Sequence, residues 1–253
     1  VTSLKIEIRD TDPNTGKMFK VGDFIFDEFA DEKINEFASE HSTSFRVALA
    51  EGVSSWQVYK ALSEIKFLSG KLENIPDEGT IAPASYDFGI GMTKAALIKK
   101  MQERQASILN EAWNARQPNL PINTKQEALI LASIIEKETS LKTERGKVSS
   151  VFVNRLLREI ALQTDASVVY GITRGKKVLG RGLRRSELKK DTPWNTYVNK
   201  GLPPSPIGNP GKASIHAALN PDITNYLYFV ADGSGGHAFA ENLREHNINV
   251  AKW

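Results

Sequence analysis

The 253-residue chain contains no cysteine. That excludes a disulfide framework, thiolate metal sites and a cysteine nucleophile. No apolar run approaches the roughly 20 residues of a membrane span, and no secretory leader is visible. The chain starts at Val1 rather than Met, which reads as a processed piece whose N-terminal anchor is missing. Charge of one sign is also scarce: 33 Lys and Arg stand against 30 Asp and Glu, a net +3. That is too little to argue for a nucleic-acid partner. No HExxH or similar spacing suits a metal, and no GxGxxG or Walker pattern suits a nucleotide, so no metal or cofactor is expected. Internal repeats and low-complexity segments are absent. What remains is 40% hydrophobic and 25% charged residues, the profile of a globular protein with one large domain or two small ones.

The pattern along the chain predicts an α+β fold. LKIEIRD (4–10) alternates as a strand and DPNTG (12–16) has turn chemistry. FRVALAEG (45–52) is a second strand candidate. A helix over 54–70 follows, with Ser54 as its cap and Gly70 as its stop. Residues 73–91, rich in Pro and Gly, read as a connection. The periodicity then predicts helices over 93–116, from Thr124 to about Glu138, and over 144–160. Thr124 with Glu127 forms a capping box. After residue 190 the chain reads as loop-rich, with YLYFVADG (226–233) as a strand and 241–253 as a terminal helix.

The stretch ASIIEKET (132–139) carries the sharpest chemical signal. On a helix, Leu131, Ile134 and Ile135 form an apolar stripe. Glu138 follows them by seven, four and three residues and therefore lies on that stripe. Glu136 is rotated about 160° away, so the two glutamates form no carboxylate pair. A carboxyl on an apolar stripe is desolvated, its pKa rises, and it becomes a general acid. From spacing alone a second reading stands beside this one: the helix ends and Glu138 turns to solvent or pairs with Lys142.

Other candidates are Gln163, Thr164 and Asp165 in LQTD, where Asp165 also suits a cap or turn, and His237 in the glycine-rich GSGGH. The segment 173–190 holds eight Lys and Arg against one acid, a local charge of +7 that leaves −4 for the rest of the chain. It has no aromatic residue to stack on bases. It suits either a carboxylate-bearing polymer or a solvated hairpin.

Read in series, LILASIIEKET, ERGKVSSVFVNRL, LQTDASVVYG, WNTYVNKGLPPSPIGNPG, YLYFVADGSGGHAFA and EHNINVAKW resemble the MltG (YceG-like) endolytic murein transglycosylases, most closely the alphaproteobacterial branch. The likeness is strong over 83–253, looser over 44–82 and weakest over 1–43. It implies a LysM-like N-terminal module over 1–82 and a YceG-like catalytic domain of mixed helices and strands over 83–253. It also implies cleavage of the β-1,4 bond between N-acetylmuramic acid and N-acetylglucosamine inside peptidoglycan strands, leaving 1,6-anhydro ends. The family's catalytic glutamate falls on Glu138. By motif position, Gln163, Asp165 and Tyr170 would shape the cleft, and Asn195, Tyr197 and Asn209 would hydrogen-bond the sugars. Tyr86 would offer an aromatic platform and His237 would sit at the rim. Implied partners are nascent glycan strands and their synthases, at the periplasmic face of the inner membrane.

Three departures accompany the likeness. Asp165-Ala166 stands where Asp-Pro is expected, Trp194-Asn195 where an aromatic-Asn pair of the YNTY type is expected, and Ala84 or Ser85 where an acid is common. Two other readings remain open. One is a lysozyme-type hydrolase using Glu138 and Asp165, which would leave reducing ends. The other is a non-catalytic glycan-binding protein.

Overall fold

The computed structural model describes residues 5–11, 18–25, 44–65, 68–89 and 91–252. Long-range pairing builds the first sheet. β1 (Lys5–Thr11), β2 (Met18–Ile25), β3 (Ser44–Ala48) and β4 (Ser85–Phe88) run antiparallel in the order β2-β1-β3-β4. The expected turn at 12–16 lies outside the described residues. β4 corrects the reading of 73–91 as a plain connection. Phe45 faces Phe88 in register, their rings stacked with centroids 5.4 Å apart, and Arg46 faces Asp87 in a 2.6 Å ion pair. The inward side chains Phe45, Val47, Tyr86 and Phe88 are buried, the period-two pattern of a half-buried sheet.

α1 (Ser55–Glu64) starts at a reciprocal cap between Ser54 and Gln57 and lays Val58 and Leu62 into the same core. The first half of α2 (Lys94–Asn114) joins them through Leu97, Ile98 and Met101. The boundary expected at 82/83 therefore falls inside one continuous core running from Phe45 to Met101.

A second core begins at Leu109 on the same helix. Its centre is α3 (Lys125–Glu138), started by the Thr124–Glu127 box and buried without interruption from Ala128 to Ile135. A helix that is apolar all round must be enclosed. It is surrounded by α2, α4 (Arg145–Leu157), α5 (Asp165–Thr173) and α7 (Lys212–Leu219). α4 stops three residues before the expected end at 160. α5 and α7 were not legible as helices. Each is short, and α7 follows the Pro/Gly-rich stretch that reads as loop. Burial of Ile215, Ala218 and Leu219 against α3 stabilises it where local periodicity is weak.

A four-residue helix, α6 (Arg185–Leu188), lies in the basic segment. The chain ends in a hairpin of β5 (Tyr228–Ala231) and β6 (His237–Ala240) followed by α8 (Leu243–Lys252). Among the described residues no helix is long and apolar enough to cross a membrane.

Candidate active site

α3 delivers Glu138 as its last residue, and Thr139 caps the helix in extended conformation. The carboxyl opens into a cleft of about 550 Å³ walled by α4, the 162–165 loop, Tyr197 and β5. Thr164 donates its hydroxyl to Glu138 Oε1. Burial pushes the Glu138 pKa up from the ordinary carboxylate value. The Thr164 hydrogen bond pulls it down, the Asp165 charge pushes it up, and His237 pulls it down, with a net rise. The C-terminal end of a buried helix adds to the disfavour for a negative charge there.

The loop that presents Thr164 is held from two sides. Arg155 of α4 is buried and donates to the carbonyls of Ala161 (3.1 Å), Leu162 (3.0 Å) and Leu227 (2.7 Å), and to Gln163 Oε1 (3.3 Å). On the other side Thr196 accepts the Gln163 N–H at its carbonyl (3.0 Å) and the Thr164 N–H at its hydroxyl (3.0 Å). Gln163 has φ of 55°, a left-handed conformation that costs a side-chain-bearing residue about 1 kcal/mol and is maintained by these contacts. Asp165 opens α5, and its Oδ1 accepts the Tyr197 hydroxyl at 2.7 Å. Burial, reinforced by Asp165, raises the Tyr197 pKa so that it stays a phenol and a donor.

His237 stands at the edge of this arrangement. Its N–H donates to Glu144 Oε1 (3.0 Å), and its Nδ1 lies 2.8 Å from Glu144 Oε2. A Cβ on Gly236 would come within 2.7 Å of Glu144 Oε1, so a side chain there would push the Glu144 carboxyl away from His237.

Four of the expected site residues lie elsewhere. Tyr86 is buried in the first core and donates its hydroxyl to the Ala82 carbonyl, so its ring has no face for a sugar. Asn195 is fully buried. Its amide donates to the carbonyls of Glu187, Leu188 and Lys190, and its oxygen accepts the Tyr197 N–H, so it positions Tyr197 from behind. Asn209 is fully buried at the seam between the two cores. Tyr170 donates to Glu78 Oε2 at 3.0 Å and packs on Trp194, beside a different cavity. Glu136 is also shielded, paired with Arg145 at 3.8 Å and accepting the Gly211 N–H at 2.9 Å, away from the cleft. Three cleft residues with polar side chains are not singled out by sequence: Arg155, Tyr228 and His246. Arg155 follows buried Phe152 by three residues, a spacing that would have placed it on the same face.

The electrostatics predict opposite responses from two neighbours of Glu138. Asp165→Asn removes a negative charge, lowers the Glu138 pKa, and moves the alkaline limb of activity to lower pH. Thr164→Val removes a hydrogen bond that favours the carboxylate, and moves that limb to higher pH. Rate against pH for the two variants measures both shifts; movement in one direction would contradict this account of the charges around Glu138.

Fold and site together define an α+β chain with one shielded carboxyl over a cleft of polar and aromatic groups, the equipment of an acid catalyst. The chain belongs to the YceG-like family, whose profile matches residues 4–252. It is 39% identical over 179 residues to an endolytic murein transglycosylase of Bacillus subtilis, covering 70% of this chain and 48% of that one. It is 33% identical over 182 residues to one of Streptococcus pneumoniae, covering 69% of this chain and 32% of that one. The chain thus spans about half or less of these relatives. A crystal structure of a YceG-like protein from Listeria monocytogenes superposes with TM-score 0.66 at 27% identity, covering 80% of this chain and 75% of that one.

Proposed function

We propose that the chain is an endolytic lytic transglycosylase of peptidoglycan, with Glu138 as general acid and then base. The observation that carries the proposal is the single shielded carboxyl, hydrogen-bonded to Thr164 and held above its usual pKa. Protonated Glu138 gives its proton to the glycosidic oxygen joining N-acetylmuramic acid to N-acetylglucosamine. The C1–O bond breaks with the electron pair leaving on that oxygen, and positive charge develops at C1. Glu138, now a carboxylate, takes the proton of the muramyl C6 hydroxyl, whose oxygen bonds to C1. The product is a 1,6-anhydro end, and Glu138 is again protonated. One carboxyl suffices because no external nucleophile needs a second base. Tyr197 as a donor and Gln163 as donor and acceptor supply polar groups for the sugars.

In this reading the enzyme releases or terminates nascent strands at the periplasmic face of the inner membrane, beside the synthases that extend them. The N-terminal sheet and α1 act there as a LysM-like glycan-docking module. Asp165 lines the same cleft, so hydrolysis is the outcome to exclude. Digestion of purified peptidoglycan in ¹⁸O-water discriminates the two. The proposal expects no label in the new ends; one ¹⁸O per cut would overturn it in favour of hydrolysis, and no cutting would leave a binding protein.

A further inference from the structure

A second cavity of about 420 Å³ lies across α5 from the cleft. One face of α5, formed by Ala166, Val169, Tyr170 and Thr173, lines it, while the residues leading into that helix line the cleft. The two cavities are also joined through α3. Glu138 opens into one, and the residue before it, Lys137, opens into the other.

Among the described residues Lys137 is a cation without a direct partner. Its Nζ makes no hydrogen bond or ion pair among the described residues. Burial pushes its pKa down, and the charges of Glu78 and Glu136 support it only from a distance. Both carboxylates are already engaged: Glu78 accepts the Ser55 N–H (2.7 Å) and the Tyr170 hydroxyl (3.0 Å), and Glu136 accepts the Gly211 N–H. Two glycines let the lysine through. A Cβ on Gly208 would meet the Gly52 carbonyl at 2.7 Å and Lys137 Cε at 3.2 Å, and a Cβ on Gly52, whose φ is 77°, would lie 3.5 Å from Nζ. A partly shielded cation whose neighbouring carboxylates are bonded elsewhere is stabilised by an anionic ligand. Lys177 of the basic segment adds a second cation to the wall, and Glu51 an acid.

Two other cations of that segment are otherwise engaged. Arg181 forks onto Glu187 at 2.8 and 2.6 Å, and Arg174 stacks 3.5 Å over Trp194. The acid on the wall disfavours a polyanion and suits a peptide that carries carboxylates beside other polar groups.

We infer that this cavity is a second subsite of the same substrate, binding the carboxylate-bearing peptide that branches from the glycan, with Lys137 as its anchoring cation. The inference rests on the functional reading above. In it, consecutive residues divide the work: Glu138 acts on the sugar bond and Lys137 holds the branch.

The test compares glycan strands that keep their peptides with strands stripped of them by an amidase. Lys137→Gln is expected to lower kcat/KM about tenfold more on peptide-bearing strands than on stripped ones, chiefly through KM, as befits one ion pair. Lys177→Gln, at an exposed position that leaves packing intact, is expected to do the same by about threefold. Equal losses on both strands, or no loss, would overturn the inference. If the wild type cleaves neither strand, the functional reading fails separately. Titration with N-acetylmuramyl dipeptide then decides the subsite: binding by wild type and Glu138→Gln but not by Lys137→Gln supports it, and binding by none of them removes it.

Discussion

Glu138→Gln is expected to lower peptidoglycan cleavage by about a thousandfold while leaving the fold intact. Glutamine matches the shape of the side chain and still accepts the Thr164 hydroxyl, so the end of α3 and the 162–165 loop keep their places. What is lost is the transferable proton. Stability gives a second readout with a definite sign. The Glu138 pKa is raised in the folded state, so its contribution to stability is present at low pH, below the unfolded value. That contribution is lost as pH rises through the folded value. Glutamine has nothing to ionise. The melting temperature of the variant should therefore exceed that of wild type by a margin that widens with pH. Cleavage assayed beside thermal melts from acid to neutral pH checks both. A variant that retains activity would remove Glu138 as the acid, and one that melts early at every pH would show a structural role instead.

Asn209→Ala is expected to give the largest loss of stability, about 3 kcal/mol. Asn209 is fully buried and bonds in three directions. Its oxygen accepts the Ile81 N–H at 2.9 Å, and its amide donates to the Val53 carbonyl at 2.9 Å and the Ser55 hydroxyl at 3.1 Å. Alanine leaves the Ile81 N–H without a partner in a dry seam, where an unmet polar group costs about 1–3 kcal/mol, and it also removes the amide's bonds to the Val53 carbonyl, which keeps the Asn209 N–H, and to the Ser55 hydroxyl, which keeps the Asp77 carbonyl. For a chain of this length the loss corresponds to a fall in melting temperature of roughly 10 °C. Lys99→Ala provides the contrast. Its ion pair with Glu103 spans 3.9 Å between exposed side chains and contributes a few tenths of a kcal/mol. Scanning calorimetry on the two variants measures the difference. Equal shifts would mean that the Asn209 bonds do not join the two cores.

The physics of these two residues also explains what could be read in the sequence. α3 was legible at both ends because its signals are local: a threonine and glutamate three apart start it, and an unbroken apolar run fills it. Glu138 followed from the same helical period. β4 was not legible because its partner is far away. Nothing within SYDF announces Phe45, which completes the pair from 43 positions earlier in the chain. The polar residues of the conspicuous loops divided for the same reason. Asp165 and Tyr197 meet at the cleft, whereas Asn195 and Asn209 turn inward to satisfy carbonyls that only the folded chain brings together. Arg155 escaped notice because its role is defined by the carbonyls of residues 161, 162 and 227, which no spacing along α4 encodes.

The central claim is that one carboxyl breaks the glycan without water. Mass spectrometry of the soluble fragments released from purified peptidoglycan tests it most directly. The account predicts fragments ending in 1,6-anhydromuramic acid, one water lighter than hydrolytic products, from the wild-type chain and not from Glu138→Gln. Fragments with ordinary reducing ends would contradict it.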